Sequence, residues 1–310
     1  MRTLADGPDS WHNESMQVAI VTQRASETNL ALAASAPHGV SFCLFSPEQA
    51  VAQLRHGDAA LGRLDVLPTL DGVEDGLWAL GSLAARGVVV LNRAGALLAA
   101  HDKLLTAKVL QRGGLPHPRT RILHPGGQVP DWDGPVVVKP RFGSWGRDVE
   151  LCSDEISFRR HLRSLEHRLW FQRHGAVLQE LVPPAGFDLR IVVAAGVPVG
   201  AISRVAAPGE WRTNIALGGT RVAVEPPPEA IELAVRAAGA AGADLIGVDL
   251  LPDGAGGHTV LELNGAVDFT REYRLDRDPF VAAAAELTRV AAEREPVRAE
   301  PAAAASEDVA

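Results

Sequence analysis

At 310 residues the chain is long enough for about two domains with sizeable cores. A hydrophobic fraction of 46% and a charged fraction of 22% are ordinary for a globular protein, and a net charge of −8 supplies no footprint for nucleic acid. No apolar run approaches the roughly 20 residues that span a bilayer, and residues 1–15 lack the apolar segment of a secretory signal. Cys43 and Cys152 form no CxxC motif, so the expectation is a cytoplasmic protein without a disulfide framework.

Residues 1–15 and 293–310 read as solvated, disordered tails. Between them, residues 17–22 (QVAIVT) and 40–45 (VSFCLF) read as strands. Ser46 and Pro47 then provide an N-cap and first turn of a helix. Residues 64–67 follow as a third strand, 76–86 as a helix and 88–91 as a fourth strand. The alternation predicts a small parallel α/β domain over 16–98. Residues 101–113 read as a helix closed by Gly113 and Gly114. Beyond it the texture changes to six strand candidates, at 136–139, 177–180, 189–194, 199–205, 245–251 and 259–264. Helices are expected at 229–241 and 279–292. Strands with few intervening helices predict antiparallel sheets, and so α+β architecture, over 99–292.

Only three of the 30 basic residues are lysines: Lys103, Lys108 and Lys139. A chain that otherwise uses arginine keeps lysine where a compact ammonium suits the task, as in gripping phosphate. None of the three follows a glycine, which excludes a P-loop; zinc-hydrolase, serine-hydrolase and protein-kinase signatures are also absent. Lys139 ends the β-branched run 136–138 and precedes a loop containing Gly143, Ser144 and Gly146, whose backbone N–H groups can approach an anion closely. Asp249 lies in one predicted strand, and Glu262 and Asn264 alternate along the next, after an Asp-Gly-rich turn. Paired, the two strands bring two carboxylates and an amide together as hard oxygen ligands for Mg²⁺ or Mn²⁺.

Taken in order, Lys139 with its glycine loop, Gln179-Glu180, Asp188-Leu189-Arg190, Arg212-Thr213-Asn214 before Gly218-Gly219, and Asp249 with Glu262 and Asn264 resemble the ATP-grasp fold. They are most similar to RimK-type amino-acid ligases and to LysX-like ligases, strongly from His101 to Phe269 and more loosely before that. The resemblance implies a small parallel α/β domain preceding a bipartite ATP-grasp fold, with a lid subdomain at about 115–180. It implies ATP as cofactor, with Lys103 and Lys139 on its phosphates. Gly143, Ser144 and Gly146 form the mobile lid. Glu180, Leu181 and Val182 form the adenine hinge, and Asp188 is a further nucleotide contact. Arg190, Arg212 and Asn214 lie near the phosphate and acyl-phosphate, with Arg204 nearby. Asp249, Glu262 and Asn264 are the metal ligands, and Cys152 has no catalytic part.

The implied activity joins a small-molecule or peptide carboxylate, activated as an acyl-phosphate, to an amino acid's amine. Neither nucleic acid nor membrane is a partner, and a homo-oligomer is expected. A non-amine acceptor, a kinase-like activity and a non-catalytic ATP-binding module remain as alternatives. The loop at 265–273 departs from the Ser-Pro-Gly-like turn of many RimK-type members and is nearer the LysX-like pattern. It offers Arg271 and Arg274 for a substrate carboxylate, and Asp268 and Glu272 for an ammonium. Residues 63–74 are candidates for the facing wall.

Overall fold

The computed structural model describes residues 16–129 and 134–294; of the tails expected at 1–15 and 293–310, residues 1–15 and 295–310 lie outside the described residues. The N-terminal unit alternates β1 (Met16–Val21), α1 (Glu27–Ala33), β2 (Val40–Phe45), α2 (Pro47–Gln53), β3 (Ala59–Gly62), α3 (Leu77–Ala85) and β4 (Val89–Leu91). Its sheet is parallel in the order β2-β1-β3-β4. Both faces are covered, so the strands are continuously apolar: Val18 and Ile20 feed one core, Ala19 and Val21 the other. Ser46 and Gln49 form a reciprocal capping box at α2, with Pro47 in the first turn.

The third strand is Ala59–Gly62, not the expected 64–67, which follows it as a loop. The AALG run lacks the β-branched residues that mark strands, but its four residues are all buried. Gly62 is required there, because a Cβ would stand 2.5 Å from the Asn92 carbonyl oxygen.

The helix expected over 101–113 is α5 (Lys103–Arg112), and a further helix that was not expected, α4 (Ala94–His101), precedes it, the two separated at Asp102. Asp102 adopts an extended conformation and its carboxylate caps α5 by accepting from Leu104 N–H.

A second sheet follows: β5 (Thr120–Leu123), β6 (Val136–Pro140), β7 (Glu150–Cys152), then α6 (Glu155–Leu165), α7 (Leu169–His174) and β8 (Ala176–Glu180). It is antiparallel in the order β5-β8-β6-β7 and packs Val136, Val138 and Leu178 onto Phe158, Trp170 and Phe171. The last apolar member of this core, Leu70, comes from the N-terminal unit. It holds a left-handed φ of 63°, and the carbonyl of the neighbouring Asp71 contacts His174 Nε2 at 2.8 Å.

The third sheet, antiparallel in the order β11-β10-β9-β12-β13, contains β9 (Phe187–Ala194), β10 (Val197–Val205), β11 (Thr220–Val222), then α8 (Pro228–Ala241), β12 (Leu245–Pro252) and β13 (His258–Asn264). Helix α8 covers one face through Leu233, Ala234 and Ala237, packed on Ile191, Val193, Ile246 and Val248. Helix α9 (Pro279–Glu293) joins the far end of the other face to the N-terminal sheet. Of the tail expected from 293, Glu293 closes α9 and Arg294 reaches Asp244 at 2.5 Å. Asp244 is also bonded to Asn92, a fully buried residue with φ 49°. The Asn92 side chain accepts from Asp244 N–H (2.7 Å) and Leu245 N–H (3.0 Å) and donates to the Leu245 carbonyl (2.7 Å).

Candidate active site

Residues opposite one another on paired antiparallel strands point to one face, so register alone builds the floor of the cleft. Asp188 faces Arg204, Arg204 faces Arg221, Arg190 faces Asp249, and Asp249 faces Glu262. The alternate residues Leu189, Ile191, Val248 and Leu250 face the core under α8. Arg190 grips Asp249 through Nε and Nη2, both at 2.7 Å. Arg204 donates from Nε to Asp188 (2.8 Å), and its Nη2 bridges Asp188 and Asp249 (2.9 Å to the latter). Thr213 Oγ1 donates to Asp188 at 2.6 Å. Burial opposes charge on Arg204 and Asp249, but mutual attraction wins: the guanidinium is raised and the carboxyl lowered.

One alternation departs from expectation. A bulge in the β12–β13 ladder between Asp249 and Leu250 inserts Leu261 as an extra residue. Leu261 therefore lines the cleft beside Glu262 instead of facing away with Leu263.

Lys139 leaves the end of β6 with only 5% exposure, and its Nζ donates to Gln179 Oε1 at 2.6 Å. Desolvation pulls its pKa down to about 8, against the attraction of Glu262. Sequence reasoning assigned no role to the groups that orient Gln179. Its Nε2 donates to Thr120 Oγ1 (3.0 Å) and lies 3.3 Å from His117 Nε2. Burial lowers His117 to about 4, so the ring is neutral; Nδ1–H faces the Val260 carbonyl at 2.7 Å, leaving Nε2 as acceptor. The Gln179 oxygen is thereby turned toward Lys139.

Lys103 stands at the first position of α5. Its Nζ donates to the Gly143 carbonyl (2.6 Å) and pairs with Glu262 (2.9 Å). Arg141, bound to Asp102 at 2.7 and 2.5 Å, fixes the start of the glycine loop to the same helix. In that loop Trp145 and Gly146 have φ of 61° and 70°, and a Cβ on Gly146 would stand 2.8 Å from Asn214 Oδ1. Arg212 ties down the far side of the loop, with Nη1 donating to the Gly146 and Val149 carbonyls (3.3 and 3.2 Å) while Glu210 holds its Nε and Nη2. Cys152 is buried and its thiol is pushed up to about 11, by burial first and then by Glu150 and Asp154, so it is inert.

Two cavities open on this floor. The first encloses about 880 Å³, its open mouth included. Lys103, Lys139, Gly143, Ser144, Gly146, Glu180, Leu181, Val182, Asp188, Arg212, Asn214, Asp249 and Glu262 all line it. Leu181 and Val182 follow the end of β8 directly and stand at the cavity's rim. Arg190 and Asn264 instead line the second cavity, of about 1060 Å³. Ser144, Arg204, Asn214 and Glu262 line both. Arg271 and Arg274, candidates for a substrate carboxylate, line neither; Arg271 is exposed and paired with Asp278 at 2.8 Å. From the 63–74 stretch, Asp65 reaches the second cavity.

Among the described residues no three His, Cys, Asp or Glu cluster as a metal site. The set expected from the sequence, Asp249, Glu262 and Asn264, has an amide in place of a third such residue, and some of its oxygens carry few partners. Asp249 Oδ1 accepts one hydrogen bond, while Glu262 Oε2 and Asn264 Oδ1 accept none. Two carboxylates plus an amide leave positions for waters and phosphate oxygens, as Mg²⁺ prefers.

A parallel sheet followed by two antiparallel sheets, with lysines from both sides of a cleft beneath a glycine loop, defines an ATP-grasp ligase. The chain belongs to the RimK-like ATP-grasp family, whose domain matches residues 100–289. It is 30% identical over 218 residues to the glutamate–LysW ligase ArgX of Sulfurisphaera tokodaii, a match covering 68% of this chain and 76% of that one. A probable alpha-L-glutamate ligase of Pseudomonas aeruginosa is 31% identical over 215 residues, covering 67% of this chain and 68% of that one. Among solved structures, the fold is similar to a RimK-domain ATP-grasp protein of Sphaerobacter thermophilus, with TM-score 0.60 and 21% identity, covering 88% of this chain and 99% of that one. It is also similar to the D-alanine–D-alanine ligase of Bacillus anthracis complexed with ATP, with TM-score 0.63 and 18% identity, covering 90% and 97%. Among the described residues no helix is long and apolar enough to cross a membrane.

Proposed function

We propose that the protein uses ATP to activate a carboxylate as an acyl-phosphate and transfers the acyl group to the amine of an amino acid. The observation that carries this reading is the pair of adjoining cavities sharing Arg204, Asn214 and Glu262, one suited to a nucleotide and the other to the reacting acids and amines. In the first, the backbone at Leu181 and Val182 suits the adenine edge, and Lys103 and Lys139 suit the phosphates. The substrate carboxylate attacks the γ-phosphorus and ADP departs; the amine then attacks the acyl carbon and phosphate leaves.

Both transfers spread negative charge over oxygens. Lys103, Lys139 and the unshared Nη1 groups of Arg190 and Arg204 balance it where water is excluded. Asp249, Glu262 and Asn264 would hold a divalent cation, which when bound neutralises phosphate oxygens. The glycine loop, tied to Lys103 and Arg212, closes over the phosphates and shields the acyl-phosphate from hydrolysis.

The relatives named as glutamate ligases favour glutamate as the first amine to try. The test measures ADP and phosphate release by the full chain with ATP, Mg²⁺ and a panel of carboxylates, with and without amino acids. Release that requires both a carboxylate and an amino acid supports the reading. Release without any amine points to a kinase-like or non-amine acceptor, and no release to a binding module.

A further inference from the structure

Six charged side chains line the second cavity: Asp65, Arg190, Arg204, Arg221, Glu262 and Asp268. Four are committed. Arg190 and Arg204 hold Asp249 and Asp188, Glu262 pairs with Lys103, and Asp65 pairs with Arg24 at 2.9 Å. Two charges of opposite sign are left. Arg221 has Glu272 at 3.9 Å, the outer limit of an ion pair, with a Glu272 side chain that is 63% exposed. Such a solvated contact is worth little and is easily exchanged. Asp268 is exposed and makes no hydrogen bond or ion pair among the described residues.

Both sit on fixed backbone. Arg221 lies on β11 directly opposite Arg204. The loop carrying Asp268 is pinned at alternate residues by the N-terminal unit. Asn92 Nδ2 donates to the Gly265 carbonyl (3.3 Å), Arg63 Nη2 to the Val267 carbonyl (2.9 Å), and Thr28 Oγ1 bonds Phe269 at both N–H and carbonyl (3.3 Å each). Phe269 stacks on Phe280 with centroids 4.6 Å apart. Ile215, Ala216 and Ala266 supply apolar wall to the same cavity. Arg221 and Asp249 are three strands apart in the sheet, so about 14 Å separates their backbones and leaves room for a small molecule between anchor and reaction centre.

We propose that this cavity is a subsite for a free amino acid bound as its zwitterion, with Arg221 holding a carboxylate and Asp268 the ammonium. The assignment rests on the ligase reading above and names the two residues that select its amine substrate. Its position follows from the shared wall: Glu262 and Asn214 bring whatever binds here against the phosphate end of the first cavity.

Calorimetric titration of the full chain, saturated with ADP and Mg²⁺, uses L-glutamate and, as the ammonium-free probe, glutarate. Arg221→Met should weaken both by about tenfold, the equivalent of one lost charge-assisted hydrogen bond. Asp268→Asn should weaken L-glutamate to a similar extent and leave glutarate unchanged. Circular dichroism verifies the fold, since both side chains are at the surface. Unchanged L-glutamate affinity in either variant overturns the subsite, as does a wild-type chain that binds neither probe. The ADP-release assay is read separately: binding that depends on Arg221 without turnover keeps the subsite and removes the ligase reading. Amine-dependent turnover indifferent to both substitutions does the reverse.

Discussion

Lys139 is held in a place where burial and phosphate binding pull in opposite directions. Its ammonium is the form a nucleotide needs, yet desolvation lowers it to about 8. The catalytic efficiency for ATP should therefore fall as pH rises through about 8, in the free-enzyme profile of kcat/KM. Stability moves the other way. The unfolded lysine titrates near 10.5 and so binds more protons than the folded one between about 8 and 10.5, which makes this group's contribution rise with pH over that window. A flat kcat/KM profile from pH 7 to 9.5 would remove Lys139 from the phosphates. Lys139→Ala should lower turnover by about two to three orders of magnitude, the loss expected for a charge contact in a desolvated site. Exposed Lys108→Ala serves as the silent control. Glu262→Gln should raise the Mg²⁺ concentration needed for half-maximal rate, because a neutral amide is a weaker ligand for a hard cation; full activity in excess chelator contradicts the ligand set.

These residues could be read in the sequence because lysine is scarce and because period-2 alternation sorts Asp249, Glu262 and Asn264 onto one face. His117 could not, nor could the bond from Gln179 to Lys139, since these contacts join β8 to Lys139 across 40 residues and to a loop before β5 across 62. Arg221 was hidden for the same reason: its value comes from which other arginines are already occupied.

At the scale of elements, the glycine loop meets the third sheet so closely that one methyl group is too many. Gly146→Ala would place a carbon 2.8 Å from Asn214 Oδ1 and 3.0 Å from Leu217 Cδ1, in a backbone region that L side chains avoid. The expected result is at least a tenfold fall in kcat with a smaller change in global stability, because the strain falls on the closed loop. Turnover kinetics beside thermal melts separate the two, and equal losses in both would make this glycine a folding residue. The strands differ in legibility for a physical reason. The long apolar or alternating runs announced themselves, whereas three-residue β7 and β11 carry too few residues for a period. Helix α4 (Ala94–His101) was missed because its eight residues are nearly all small or apolar and show no helical period, and Asp102 separates it from the legible α5. The bulge that turns Leu261 into the cleft belongs to strand pairing and leaves no trace in a single strand.

At the scale of the whole molecule, a few buried polar residues join the N-terminal sheet to the site. Asn92 alone satisfies two backbone N–H groups and a carbonyl of the third sheet's approach to β12, and it has no exposure. Asn92→Ala leaves those groups buried without partners, and should cost about 2–4 kcal/mol of unfolding free energy. Urea denaturation gives the value. A change below about 0.5 kcal/mol, the level of an ordinary surface substitution, would mean that water replaces the side chain. The partners lie 152 and 153 residues away, so no local pattern could have pointed to them.

Leu70 has the widest reach of these joints. A chain segment is a transplantable module only when its core is filled by its own side chains, and the second sheet fails that condition: its apolar interior is completed from the N-terminal unit. Recombination between relatives is therefore constrained by packing instead of by contiguity. An exchange of residues 115–180 alone sets Leu70 against a foreign interior, with Asp71 facing whatever replaces Arg173 and His174. The heritable unit is discontinuous, and residues 67–73 travel with the sheet they complete.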